Sequence, residues 1–131
     1  MTLAASGLTE RQVEHYRRRL ERLVARLRPE VRHLEAEAWR GSEQPVAGVE
    51  LPGIDTDPPS QEEEEYLARV LWQNEREILA QAQDALTRIA AGTYGLCVHC
   101  GAPIGKERLD LLPHTPYCID CARKAEAGEL D

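Results

Sequence analysis

The 131-residue chain contains no phenylalanine and one methionine, and aromatics make up only 5% of it. So few large apolar side chains cannot fill a thick globular core, and the composition suits an elongated helical body instead. No stretch approaches the ~20 consecutive apolar residues of a membrane span. The N-terminus lacks the apolar core of a signal peptide, so the expected home is the cytoplasm. Only four cysteines occur, and no βαβ pattern surrounds them, which argues against a thioredoxin-like redox centre. No nucleophile–base pair stands out, so no enzymatic activity is expected. Positive charge is scarce where a DNA-reading finger would need it. Residues 93–131 carry four basic and six acidic side chains, so direct sequence-specific DNA binding is not expected.

What is present centres on the cysteines. They stand as Cys97-Val98-His99-Cys100 and Cys118-Ile119-Asp120-Cys121, two C-x-x-C pairs with seventeen residues between them. That spacing falls in the window of a four-cysteine zinc site. Two residues between thiolates let one tight turn aim both sulfurs at the same ion, and two such turns complete a tetrahedron. Gly101 suits the sharp turn after the first pair. The alternative of two disulfides is disfavoured because nothing marks the chain as secreted. His99 and His114 are alternative ligands in principle, but four cysteines already suffice. A closed shell of four thiolates leaves no position for substrate, so one structural Zn²⁺ is expected. The 39 residues from Thr93 onward are too few to fold on hydrophobic burial alone. A structural zinc supplies on the order of 10 kcal/mol or more.

Two long helices are predicted before the cysteines, over 9–40 and 61–92. Thr9 and Gln12 have capping-box spacing, and Leu8 with Val13 forms a hydrophobic staple. Residues 1–8 before them read as a frayed tail. Apolar positions run Val13, Tyr16, Leu20, Leu23, Leu27, Val31, Leu34, Ala38, a heptad seam with one stutter. Pro29 lies in that stutter, where a kink is expected, and Gly41 reads as the helix stop. Residues 41–60 hold four prolines and three glycines, which rules out regular structure through most of them. Ser60 and Glu63 then repeat the capping box, and Glu62 to Glu65 load the first turn with the charge its dipole favours. The second seam reads Leu67, Leu71, Asn74, Ile78, Ala82, Ala85, Ile89, with Leu79 and Leu86 widening it and Asn74 as a register device. Gly92 is the predicted C′ residue. Trp39 and Trp72 are expected to cap the thin core near the loop.

The fold class is therefore mainly α: an antiparallel two-helix coiled-coil hairpin, residues 1–92, with an acidic tip loop at 41–60. A four-cysteine zinc-finger module, residues 93–131, follows. Within that module, 103–105 and 108–111 read as a short hairpin, and 119–127 as a short terminal helix. Charge is distributed unevenly. Residues 9–40 hold nine basic and six acidic side chains, whereas 41–60 hold four acidic and no basic ones. Helices of this length place the loop ~48 Å from the zinc module. An all-acidic loop on a stiff rod suits a protein partner with a basic cavity.

The run Gln61-Glu62-Glu63-Glu64, then Gly92-Thr93-Tyr94-Gly95-Leu96-Cys97, Cys100-Gly101, Ile104-Gly105, Arg108-Leu109, Pro113 and Cys118-Ile119-Asp120-Cys121 resembles the DksA/TraR family of bacterial transcription regulators. The resemblance is dense from about Asp57 to Cys121 and architectural before that. It implies a monomer that binds RNA polymerase directly. The coiled coil would enter the secondary channel, with acidic tip residues near the catalytic magnesium. The family's tip pair, Asp-x-x-Asp, falls on Ile54 and Asp57. This chain has Asp55-x-Asp57 instead, with Pro59 where a small residue follows, so Asp55 and Asp57 are the candidate tip residues. The family positions that hold the alarmone ppGpp fall on Gln81, Leu112 and Ala122. None is basic, which implies weak or no ppGpp dependence. Two other readings stay open: a DNA-binding zinc-finger protein, and a coiled-coil adaptor whose zinc knob docks another protein.

Overall fold

The computed structural model describes residues 2–3, 6–39 and 60–130. The tip loop lies outside the described residues, and with it Asp55, Asp57 and the expected stop at Gly41. Two long helices dominate: α1, Glu10–Ala38, and α2, Gln61–Ala91. The α1 start has the anticipated reciprocal cap. The Thr9 N–H donates to Gln12 Oε1 at 2.8 Å, and the Gln12 N–H donates to Thr9 Oγ1 at 3.1 Å. At α2 the Glu63 N–H donates to Ser60 Oγ at 3.1 Å. The α1 helix is unbroken at Pro29.

The far end of α2 closes in a Schellman motif. Gly92 adopts φ 79°, its N–H reaches the Ile89 carbonyl at 3.2 Å, and the Thr93 N–H reaches the Arg88 carbonyl at 2.9 Å. The left-handed conformation costs glycine nothing, and the motif satisfies two carbonyls that the helix end would orphan.

Backbone contacts divide the chain into two compact units, Met1–Ala25 with Ile78–Asp131, and Arg26–Glu77. In the first, Tyr16, Leu20 and Val24 of α1 pack with Ala82 and Ala85 of α2 around one core. In the second, Trp39 and Trp72 meet edge to face with ring centroids 4.8 Å apart. The Arg76 guanidinium lies 4.9 Å from the centre of the Trp72 ring, close enough for a cation–π contact. Early α1 thus meets late α2, and late α1 meets early α2, so the helix pair is antiparallel.

The α1 seam is buried or half-buried at every predicted position. The α2 seam is corrected by one residue in its first half. Leu67 and Leu71 are 44% and 41% exposed, and Asn74 is exposed too, so Asn74 is no register device. Ala68, Trp72 and Glu75 face inward instead, and with Leu79, Ala82, Leu86 and Ile89 of the expected face they run in alternating steps of four and three, beside the half-buried Ile78 and the buried Ala85. That period keeps one stripe toward the partner along the whole helix. It also buries the larger indole surface of Trp72 in place of Leu71.

Two further expectations are overturned. The described residues of the N-terminal stretch are paired: β1, Thr2–Leu3, runs antiparallel to β2, Leu8–Thr9, with Leu3 opposite Leu8. Leu8 anchors the pair by joining the core at 4% exposure. Nor is there a hairpin between the cysteine pairs. Leu96 bridges Pro103, but the next segment is a short helix, α3, Lys106–Leu111. Its Leu109 is 1% exposed, and Lys106 Nζ meets Asp110 Oδ2 at 2.9 Å one turn on, a helical pairing that a strand cannot make. The terminal helix α4, Ile119–Glu126, forms as expected.

Candidate metal centre

The first cysteine pair sits on a tight turn. The Gly101 N–H reaches the Cys97 carbonyl at 3.0 Å, and the Cys97 N–H reaches Ala102 at 2.8 Å. Gly101 takes φ 78° to close it. The second pair straddles the start of α4: Cys118 is its N-cap and Cys121 lies in its first turn. A backbone bond from the Val98 N–H to the Pro116 carbonyl, 2.9 Å, ties the two pairs together. Arg108 of α3 braces the approach to Cys118. Its Nε donates to the Tyr117 carbonyl at 3.0 Å and its Nη2 to Thr115 Oγ1 at 3.3 Å.

The outcome is convergence. The Sγ atoms of Cys97, Cys100, Cys118 and Cys121 all lie within 4.8 Å of one another. Cys100 and Cys118 approach to 3.7 Å, far beyond the ~2.05 Å of a disulfide, and all four cysteines are free. Cys97 and Cys121 are each 3% exposed. His99 Nδ1 comes to 3.5 Å from Cys121 Sγ but stays outside the four-sulfur cluster. His114 is held neutral by burial, which lowers its pKa.

The sulfurs do not behave as independent thiols. Burial pushes the Cys97 thiol up, but backbone N–H groups of Cys100, Cys118 and His99 outweigh it and bring the pKa down to about 6. Burial and the neighbouring sulfurs push Cys121 up to about 12. Neighbouring thiolates repel one another, so four of them this close need a cation between them. Four soft sulfur donors at tetrahedral spacing suit Zn²⁺, and the residues present fit that ion.

Tyr16 ties this module to α1. Its hydroxyl donates to Asp110 Oδ1 of α3, and burial with that bond raises its pKa. Tyr94 is 1% exposed and donates to the Pro113 carbonyl at 2.8 Å. The sequence marks Tyr16 only as a seam residue. Its partner lies 94 positions away, where no local pattern signals it. The three positions aligned with the family's alarmone site are scattered over three elements. Gln81 is half-buried on α2, Leu112 caps α3 at 38% exposure, and Ala122 is half-buried on α4.

Known proteins agree with this geometry. Residues 92–127 match the prokaryotic dksA/traR C4-type zinc finger. The RNA polymerase-binding transcription factor DksA of Escherichia coli K12 is 32% identical over 126 residues, covering 93% of this chain and 76% of that one. The solved structure of transcription factor DksA2 from Pseudomonas aeruginosa superposes with a TM-score of 0.64 at 30% identity, over 92% of this chain and 87% of that one. The DnaK suppressor protein from Agrobacterium tumefaciens gives a TM-score of 0.54 at 30% identity, over 85% of this chain and 91% of that one. With four convergent sulfurs, two long helices, and relatives that match along nearly all of its length, this chain belongs to the DksA/TraR zinc-finger family.

Proposed function

We propose that this protein is a transcription regulator that binds RNA polymerase directly and inserts its coiled-coil tip into the secondary channel. The observation that carries the reading is the 32% identity, across 93% of the chain, to a factor named for binding RNA polymerase. The acidic loop between α1 and α2 supports it. Residues 41–60 hold Asp55 and Asp57 and no basic residue, and a carboxylate near a magnesium ion alters its coordination or electrostatics. Asp57 carries the effect and Asp55 assists. The zinc module, residues 93–131, binds one Zn²⁺ through Cys97, Cys100, Cys118 and Cys121, and its role is structural. The factor acts in the cytoplasm as a monomer, without catalysis or sequence-specific DNA contacts of its own.

Dependence on ppGpp is weak or absent in this reading. Gln81, Leu112 and Ala122 offer no positive charge to a pyrophosphate. Two of the nearby cations are already engaged, Lys106 by Asp110 and Arg108 by Thr115 and Tyr117.

A pull-down with core polymerase, with the secondary channel open and blocked, tests the binding. Retention should occur with the channel open and be lost when it is blocked. Asp57→Asn should abolish the effect on transcription while leaving retention intact. Wild-type activity in Asp57→Asn would mean that the loop acts by filling space.

A further inference from the structure

We infer that the Tyr16 hydroxyl is a positioning group for the metal centre: through α3 it fixes the segment that presents Cys118, so early α1 sets how long zinc is retained. The inference rests on the four-cysteine zinc reading above. Its starting point is one bond between distant parts of the chain. The Tyr16 hydroxyl donates to Asp110 Oδ1, and among the described residues no other side-chain hydrogen bond joins α1 to residues 93–131. Tyr16 is 1% exposed, where a hydroxyl left without its partner is costly. The acceptor is held ready for it. Lys106 Nζ meets the other carboxylate oxygen, Oδ2, at 2.9 Å, and the bonds from Tyr16 and Lys106 lower the Asp110 pKa, which keeps the carboxylate ionised.

The helix α3 carries this grip across to the cysteines. Arg108 and Asp110 stand two residues apart, and each step along a helix turns about 100°, so they project to nearly opposite sides. Asp110 meets Tyr16. Arg108 meets the segment before Cys118: its Nε donates to the Tyr117 carbonyl at 3.0 Å and its Nη2 to Thr115 Oγ1 at 3.3 Å. Between them, Leu109 is 1% exposed in the same core as Tyr16, Cys97 and Cys121. The segment that Arg108 grips serves both cysteine pairs. Tyr117 directly precedes Cys118, and the Pro116 carbonyl accepts the N–H of Val98, the neighbour of Cys97, at 2.9 Å. With six residues, α3 is too short to hold its place unaided, so its placement depends on the grips at its two sides. Groups beyond the ligands orient the ligands and tune metal retention. Whatever draws early α1 away from α3 therefore speeds zinc loss.

The test uses the zinc-loaded full chain and measures zinc transfer to a chromophoric chelator. Tyr16→Phe keeps the ring and removes only the hydroxyl, and Asp110→Ala removes the acceptor. Each should release zinc roughly five-fold faster, below the ~10–100-fold typical of partners bonded to a ligand itself. Both remove the same bond, so the double variant should be no faster than Asp110→Ala. Asp110→Glu keeps the carboxylate and should release zinc more slowly than Asp110→Ala. Release by Tyr16→Phe at the parent's rate overturns the inference, as do fully additive effects in the double variant. Val24→Ala separates positioning from stability, because Val24 lies in the same core but outside this contact. It should lower the urea midpoint without speeding release; release as fast as from Tyr16→Phe would make global stability the cause, and the inference falls. Circular dichroism checks folding. If Tyr16→Phe does not fold with zinc, the Asp110 pair decides: slower release by Asp110→Glu upholds the inference, and equal release overturns it. A parent chain that takes up no zinc would defeat the metal reading itself, a separate result.

Discussion

Gly92 and Gly95 look alike in sequence, and both adopt left-handed backbone, at φ 79° and 91°. Their surroundings differ. A Cβ on Gly92 would meet nothing within 4 Å, whereas one on Gly95 would sit 2.9 Å from both Leu8 Cδ1 and Ser6 Cβ. Leu8 is locked in the core, and a Cβ cannot move without its backbone. Gly92→Ala should therefore cost about 1 kcal/mol for the left-handed conformation alone. Gly95→Ala should cost about 1–3 kcal/mol more from overpacking. Urea unfolding of the zinc-loaded variants measures both. Equal losses would show that the N-terminal turn gives way. Gly92 was legible in the sequence because it ends a helical pattern. The constraint on Gly95 was not, because the atoms that crowd it come from the opposite end of the chain.

At the scale of elements, the helices divide by what sustains them. α3 has six residues and α4 eight, both too short to persist alone in water. In the zinc reading proposed above, the metal and the core contacts of Leu109 and Cys121 hold them together. Cys118→Ser should lose zinc and unfold the last third of the chain, and chelation of the wild type should do the same. Amide exchange should show protection lost in α3 and α4 and retained in the Tyr16–Leu20 stretch of α1. A metal-free sample with α4 still protected would contradict this. The long helices were legible because caps and seams are local. The exception is the first half of α2, where Leu67, Leu71 and Asn74 competed with Ala68, Trp72 and Glu75 for the inward face. Both sets have helical spacing, and only contact with α1 distinguishes them. The segment between the cysteine pairs misled for a similar reason: Pro103-Ile104-Gly105 begins extended, and the turn into α3 depends on burying Leu109.

For the whole molecule, the proposed independence from ppGpp is an electrostatic expectation. The alarmone carries two pyrophosphates, which need positive charge close by. An in vitro transcription titration, using polymerase without the alarmone's factor-independent site, should give the same midpoint with and without ppGpp. A large ppGpp-dependent gain would point to Arg123 and Lys124, the basic residues of the last turn of α4.

The sequence by itself pointed to the four cysteines that converge as candidate metal donors, because C-x-x-C spacing is a local geometric instruction that any fold must respect. It also determined the two long helices and their antiparallel pairing, through caps and one apolar stripe apiece. Tertiary structure alone decided the inward face of early α2, the N-terminal strand pair and the Tyr16–Asp110 bond. Each of these depends on groups distant in the chain. Whether they meet is settled by packing, where a side chain's surroundings rather than its neighbours in sequence set the energy.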